Sequence, residues 1–150
     1  MTKKGRDMIE EQKTPWHLWA VGLVSLLWNA MGGVDYTMTH LRDPGWMAQF
    51  TPEQIAYFDG FPIWATGFWA IGVWGAIAGS ILLLFRRRWA VAAFGLSLLG
   101  LIGGHVYRFG SKIPDGWNTG PNAAFAAILA AVAVFLLWYA VRMQKHGWLK

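Results

Sequence analysis

The sequence contains no cysteine and few charged residues. Without cysteine the chain cannot form a disulfide, bind metal through thiolates or hold an iron–sulfur cluster, and a quinone-linked disulfide oxidase is excluded with them. Only 14% of the 150 residues are charged, whereas 55% are hydrophobic. This balance is unusual for a soluble domain and indicates a single polytopic membrane domain over residues 1–150.

Groupings of residues that carry chemistry are also missing. No HExxH motif, carboxylate pair or Ser/His/Asp set occurs at a common depth, so neither an enzyme nor a metal site is expected. No carboxylate lies in the middle of an apolar run, which argues against ion-coupled transport by a monomer. The net charge is +5, but the basic residues cluster at the ends of apolar runs without interleaved aromatics. Nucleic acid is therefore not an expected partner.

Four apolar runs are long enough to cross a bilayer. The clearest extends from Pro62 to Phe85 without a charge and stops at three consecutive arginines. As a helix rising ~1.5 Å per residue it would exceed the ~30 Å of hydrocarbon in a bilayer. We predict an all-α integral membrane four-helix bundle with spans at about 16–34, 62–85, 89–107 and 121–141.

The first span also has features of a signal peptide. A basic segment precedes it, and Ala30-Met31-Gly32 has the small-x-small pattern of a cleavage site. The run is longer than a usual signal-peptide core, however, and Trp16, Trp19 and Trp28 are bulky for one. We therefore favour an uncleaved first helix.

The lysines and arginines predict the orientation. Ten belong to the two termini and the 86–88 turn, whereas only Arg42, Arg108 and Lys112 fall on the other side. The more basic side faces the cytoplasm. Both termini are thus predicted to be cytoplasmic, in a multi-pass protein of the bacterial inner membrane. The eleven tryptophans fit the membrane interface, where an indole ring is buried while its N–H stays hydrated.

The 35–61 loop is then periplasmic and contains a helix signature. Thr51-Pro52-Glu53-Gln54 has the cap, the proline and the back-reaching glutamine of a capping box. We predict a short interfacial helix from Pro52 to about Asp59. Asp43-Pro44-Gly45 is typical of a turn.

Each span has a face of small residues, which lets helix backbones approach closely in lipid. We predict that these faces pack the bundle and also dock partner helices, in a homo-oligomer or a larger membrane complex. The predicted packing residues are Gly22, Ser25, Gly33, Gly72, Gly75, Gly79, Ser97, Gly100, Gly104, Ala126 and Ala133.

Polar residues near membrane depth gather toward the periplasmic side, where we expect Asp35 and Arg108 to form an ion pair. One interpretation is that this group closes the end of the bundle. The other is a periplasm-facing pocket for a small solute or a lipid headgroup. The residues of the group are Asn29, Asp35, Tyr36, His105, Arg108 and Asn122.

Haem ligation needs two axial residues at one depth, and only His40 with His105 would qualify. Because His40 is predicted to lie on a loop, interfacial roles are favoured for both, and no cofactor is expected.

Part of the sequence resembles a known family. The matching segments are Pro15-Trp16-His17-Leu18-Trp19, Leu27-Trp28-Asn29-Ala30-Met31-Gly32-Gly33-Val34-Asp35-Tyr36, Thr51-Pro52-Glu53-Gln54 and Phe61-Pro62-Ile63-Trp64. They are similar to small four-span inner-membrane proteins of Gram-negative bacteria that often carry an automatic "sugar transporter" label. The resemblance covers about residues 14–145 and implies four spans and a cell-membrane location. It assigns no site.

Two functions follow as hypotheses from these patterns. The first is a non-catalytic membrane subunit or accessory protein that packs through its small-residue faces. The alternative is a small-solute or lipid-binding transporter-like protein that uses Asp35, His105 and Arg108.

Overall fold

The computed structural model describes residues 13–150, and this part of the chain is helical with no strand. Four of its helices are long and apolar enough to cross a membrane. This confirms an all-helical, multi-pass membrane protein with four candidate spans. The helices are α1 (Trp16–Leu41), α2 (Pro44–Met47), α3 (Pro52–Asp59), α4 (Ile63–Leu84), α5 (Trp89–Gly110) and α6 (Gly120–Lys145), the long ones being α1, α4, α5 and α6.

The bundle has two distinct ends. At one end, which we call the helix-covered end, lie α2, α3 and the 111–119 loop. At the opposite end, the arginine end, lie the 86–88 turn and residues 146–150.

The predicted short helix is present, with both halves of its capping box. The Gln54 backbone N–H donates to the Thr51 hydroxyl at 3.3 Å, and the Thr51 N–H donates to the Gln54 side chain at 3.0 Å. These bonds satisfy backbone donors that a helix start otherwise leaves unpaired. The predicted turn at residues 43–45 is instead the start of α2, whose first turn Asp43 caps by accepting the Trp46 N–H at 2.9 Å.

Helix α1 continues well past residue 34 and ends at Leu41. Polar side chains do not break it, because they bond within the helix. The Thr37 hydroxyl and the His40 ring each donate to the carbonyl one turn earlier, at 2.7 and 2.8 Å. The helix ends at Arg42, which adopts a left-handed conformation with φ of 52°. Residues 35–41, expected in a loop, therefore stand on a rigid helix.

The closest backbone approach is between α4 and α5. A Cβ on Gly100 would overlap the Gly72 backbone and lie 2.6 Å from the Phe68 carbonyl oxygen. One turn along, a Cβ on Gly75 would lie 3.1 Å from the Ser97 nitrogen. The Ser97 hydroxyl also donates to the Gly72 carbonyl at 2.6 Å. Small residues thus bring the two helices into contact, and a buried hydroxyl adds an interhelical hydrogen bond.

Gly104 does not take part in this contact. A Cβ at Gly104 would meet nothing within 4 Å, whereas one at Gly103 would overlap the Phe68 ring. From Ser97 the contact stripe advances in steps of three residues, through Gly100 to Gly103. Gly104, which is predicted to continue the stripe four residues after Gly100, lies on the neighbouring face of α5.

Helix α1 packs against the other side of α4. A Cβ on Gly22 would lie 2.6 Å from the Leu84 side chain, and one on Gly33 would lie 2.8 Å from Ile77. Between these contacts the Asn29 amide donates to the Ser80 hydroxyl at 3.0 Å. Ser80 is fully buried, so this bond links two spans in the apolar interior.

Helix α6 is packed mainly near the arginine end. It contributes Leu136, Tyr139, Ala140 and Met143 to the buried core, where they meet α1, α4 and α5. Ala126 and Ala133 are only half-buried. The half of α6 nearer the helix-covered end therefore lies looser against the bundle than the other spans.

Residues after α6 fold back onto the 86–88 turn. The Lys150 N–H donates to the Arg86 carbonyl at 2.8 Å, and the Arg88 N–H donates to the Lys150 carbonyl at 2.9 Å. The Arg86 side chain also donates to the Trp148 carbonyl at 3.1 Å. Leu149 is buried in the core. These contacts fix both segments at the arginine end.

Candidate functional site

The helix-covered end is closed by a cluster of aromatic rings, which we call the aromatic cap. It joins α1, α3, α4, the end of α5 and the following loop through ring contacts of 4.1 to 6.4 Å. Aromatic rings prefer such edge-to-face and offset arrangements. The cap consists of Tyr36, His40, Tyr57, Phe58, Phe61, Trp69, Tyr107 and Trp117.

Trp69 connects most elements of the aromatic cap. Its ring meets Tyr36 edge-on at 5.0 Å and His40 at 5.3 Å, both on α1. On its other side it stacks with Phe58 of α3 at 6.0 Å. The imidazole of His40 in turn stacks on Tyr36 at 4.1 Å. Trp69 thus holds the short helix α3 against the ends of two spans.

Polar groups around the cap are bonded to protein. The Trp46 indole N–H donates to the Asp35 carboxylate at 3.3 Å, which ties α2 to α1. An ion pair between Arg42 and Asp59 joins the ends of α1 and α3. The Tyr107 hydroxyl donates to the Gly60 carbonyl at 3.2 Å. Each bond fastens a covering segment to a span.

Arg108 and Asn122 belong to a second group. Arg108 donates to the Trp117 carbonyl at 3.4 Å and to the Asn118 side chain at 3.1 Å. Asn122 donates to the Gly116 carbonyl at 3.2 Å. Both side chains therefore hold the 111–119 loop. The expected ion pair with Asp35 is wrong, since the Arg42 pair is the only salt bridge within residues 13–150.

The two remaining candidate ligand residues have other partners. His105 donates from Nδ1 to the Leu101 carbonyl at 2.9 Å, one turn earlier on its own helix. Asn29 lies deeper, between α1 and α4, and bonds to Ser80 and to the Ala76 carbonyl. Tyr36 is part of the aromatic cap, as described above. The six candidates thus fall into separate groups: Asn29, Asp35, Arg108 and Asn122 bond between segments of the chain, His105 bonds within its own helix, and Tyr36 packs in the aromatic cap.

A double-mutant cycle tests the separation of Asp35 from Arg108. Asp35→Asn and Arg108→Gln should change the free energy of unfolding additively, to within about 0.5 kcal/mol, because the residues share no partner. Thermal or denaturant unfolding in detergent measures each variant. The Arg42→Gln and Asp59→Asn cycle is the matched control, for which an exposed ion pair gives a coupling energy of about 0.2–1 kcal/mol. A coupling energy above about 0.5 kcal/mol between Asp35 and Arg108 would contradict the assignment.

The arginine end has a feature that sequence reasoning missed. Two clefts open there, of about 450 and 430 Å³. The first lies beside Arg86 and Arg87. The second lies between the start of α1 and the end of α6, where His17 Nδ1 and the Tyr139 hydroxyl share a hydrogen bond of 2.5 Å. The residues of this pair are 122 positions apart, so no local pattern could have revealed the contact.

Known proteins offer no assignment for either end of the bundle. Comparison of the chain with protein-family models, with curated proteins and with solved structures finds no match.

Proposed function

We propose that this protein is a non-catalytic accessory subunit of the bacterial inner membrane that pairs with a second copy of itself through α6. The observation that carries the proposal is a stripe of alanines on the exterior of α6. The polar candidates support it further, because Asn29, Asp35, Arg108 and Asn122 are engaged in hydrogen bonds between segments of the chain.

The exteriors of three spans carry bulky side chains. Helix α1 exposes Leu23, Val24 and Leu27; α4 exposes Trp64, Phe68, Ile71 and Trp74; and α5 exposes Leu96, Leu99, Ile102 and Val106. Large apolar side chains of this kind suit contact with lipid chains. Several glycines of these spans face inward, where Gly22, Gly75 and Gly100 meet neighbouring helices.

Helix α6 also exposes bulky residues, among them Phe125, Ile128 and Val134, but over the half nearer the helix-covered end it exposes small residues beside them. Ala124, Ala127 and Ala131 are all exposed and follow one another at helical spacing on one side. We call these three residues the alanine stripe. Small residues allow close approach of backbones, and van der Waals packing is the main attraction between helices in lipid. An alanine stripe on the exterior therefore favours a helix–helix contact between chains.

A second copy of the chain suits this surface. The contacts of Gly22, Gly75 and Gly100 lie within the molecule, and alanines exposed on the other spans, such as Ala30 and Ala92, stand singly, whereas the alanine stripe exposes three at helical spacing. Two such stripes can meet around a two-fold axis normal to the membrane, since an isologous contact uses the same patch on both subunits. A single patch of this kind gives a dimer.

The distribution of charged residues supports the membrane location of the protein and the orientation that this proposal gives it. All five acidic residues of the described chain, Asp35, Asp43, Glu53, Asp59 and Asp115, belong to α1 beyond its midpoint or to segments at the helix-covered end. The arginine end has none of them and carries Arg86, Arg87, Arg88, Arg142, Lys145 and Lys150. By the positive-inside rule the arginine end faces the cytoplasm and α3 lies at the periplasmic interface.

The solute or lipid-binding alternative at the periplasmic side has less support. Its proposed donors and acceptor, His105, Arg108 and Asp35, bond to separate segments of the chain and do not converge on a common space. A ligand there would have to displace hydrogen bonds that hold the loops. We therefore do not propose transport.

Disulfide cross-linking in native membranes tests the dimer. The chain has no cysteine, so single cysteines can be introduced without background. Ala131→Cys should form a disulfide-linked dimer on mild oxidation, because stripes in contact bring equivalent Cα atoms to within the ~4.4–6.8 Å that a disulfide spans. Leu99→Cys is the control, at a position 57% exposed on the outer face of α5. Equal cross-linking at both positions, or at neither, would contradict the proposal.

A further inference from the structure

The cleft between α1 and α6 at the arginine end is an unassigned site with a buried floor. Its floor is formed by Tyr139 and Met143, which are only 6% and 5% exposed. The hydrogen bond between His17 and Tyr139 joins α1 to α6 at this cleft, and Trp148 also lines it. The cleft is open to the surroundings above this floor. We call it the α1–α6 groove.

Among the described residues, the groove has a cationic rim without an ion-pairing carboxylate. Arg142 lies at the rim, its guanidinium carbon 5.3 Å from the centre of the Trp138 ring, and His146 lies one turn further along. The one salt bridge within residues 13–150 is at the helix-covered end, so Arg142 has no carboxylate partner among those residues. An unneutralised arginine next to an aromatic wall favours an anionic group as its ligand.

The wall of the groove is apolar and faces the lipid. Phe135 and Trp138 are 44% and 51% exposed and continue along α6 away from Arg142 into the membrane-spanning part of the helix. A soluble anion would gain nothing from such a wall. A molecule with an anionic head and apolar chains would contact both parts of the groove at once.

We propose that the α1–α6 groove binds one acidic phospholipid, with its phosphate against Arg142 and His146 and an acyl chain along Trp138 and Phe135. Basic pockets between spans at a membrane surface are suited to anionic headgroups. The chemistry shared with a free anion is the phosphate–guanidinium contact. The apolar wall distinguishes a lipid from inorganic phosphate. This site is independent of the alanine stripe, which lies on the other half of α6.

Native mass spectrometry of the full chain, titrated in detergent with phosphatidylglycerol or with phosphatidylcholine of the same acyl chains, tests the site. We expect phosphatidylglycerol to bind at least about fivefold more tightly than phosphatidylcholine, because one basic side chain near the membrane surface attracts the net negative charge of the lipid. Arg142→Gln should remove most of this preference, and Arg142→Lys should keep part of it. Arg88→Gln is the matched control, because it removes a charge from the same end but outside the groove.

Several results would overturn the proposal. The unaltered protein could bind the two lipids with equal affinity, or Arg142→Gln could leave the preference for phosphatidylglycerol unchanged. An equal loss of that preference in Arg88→Gln would indicate an effect of general surface charge. Displacement of the bound lipid by an equimolar amount of inorganic phosphate would instead identify a site for a soluble anion. Unfolding temperatures of the variants, measured in parallel, separate loss of binding from loss of fold.

Discussion

Gly100→Ala is expected to destabilise the protein by about 3 kcal/mol, at the upper end of the usual cost of overpacking. The added methyl would overlap the Gly72 backbone and lie 2.6 Å from the Phe68 carbonyl oxygen. Because both obstacles are backbone atoms, no side-chain rotation can relieve them, and α5 must move away from α4. That movement would also break the 2.6 Å bond from Ser97 to Gly72. Unfolding in detergent, followed by circular dichroism, measures the loss.

Gly95→Ala is the matched control for this experiment. It makes the same change in the same helix, at a position where a Cβ meets nothing within 4 Å. An alanine in a helix interior is more favourable than glycine by roughly 0.5–1 kcal/mol. Gly95→Ala should therefore be neutral or stabilising. If both variants behaved alike, the contact between Gly72 and Gly100 would not be what joins α4 to α5.

Trp69→Ala should have the second large effect, a loss of about 3 kcal/mol from deletion of a large aromatic side chain at a packed position. Trp69 is the only ring of the described chain that contacts both Tyr36 of α1 and Phe58 of α3. Its removal should free α3 from the bundle before the spans separate. Amide hydrogen exchange should thus accelerate in residues 52–59 well beyond the change in global stability.

Trp89→Ala is the control for this variant. Trp89 is 65% exposed and lies at the start of α5, at the arginine end. Deletion of its indole should leave exchange in α3 unchanged. If Trp69→Ala also left α3 protected, the capping-box helix would be held by its own bonds and the Arg42–Asp59 ion pair, and the aromatic cap would have no role in fastening it.

The spans and the short helix could be predicted because the relevant physics is local. Apolar length defines a span, and the Thr51–Gln54 capping box involves residues three positions apart. The continuation of α1 to Leu41 could not be read in the same way. Thr37 and His40 are polar and resemble loop residues, but in the structure their side chains bond back to helical carbonyls.

The failures at the candidate site have a different cause. Sequence gives the depth of a residue along a span but not its direction around the bundle axis. Asp35 and Arg108 are predicted to pair from similar depth and opposite charge, and they bond instead to Trp46 and to the 117–118 segment. For the same reason Gly104 is predicted to lie in the α5 contact stripe, whereas the structure places its neighbour Gly103 there. The α1–α6 groove depends entirely on tertiary packing and was not predicted.

The central claim of this account is that the alanine stripe of α6 joins two copies of the chain. The most direct measurement is the subunit number of the unaltered protein, extracted gently from its own membrane and weighed by native mass spectrometry. The account predicts a dimer that contains only this chain and becomes a monomer when Ala127 and Ala131 are both replaced by leucine, whereas Ala30→Leu on the exposed face of α1 leaves it intact. A monomer from the unaltered membrane, or a complex in which another protein takes the place of the second copy, would contradict it.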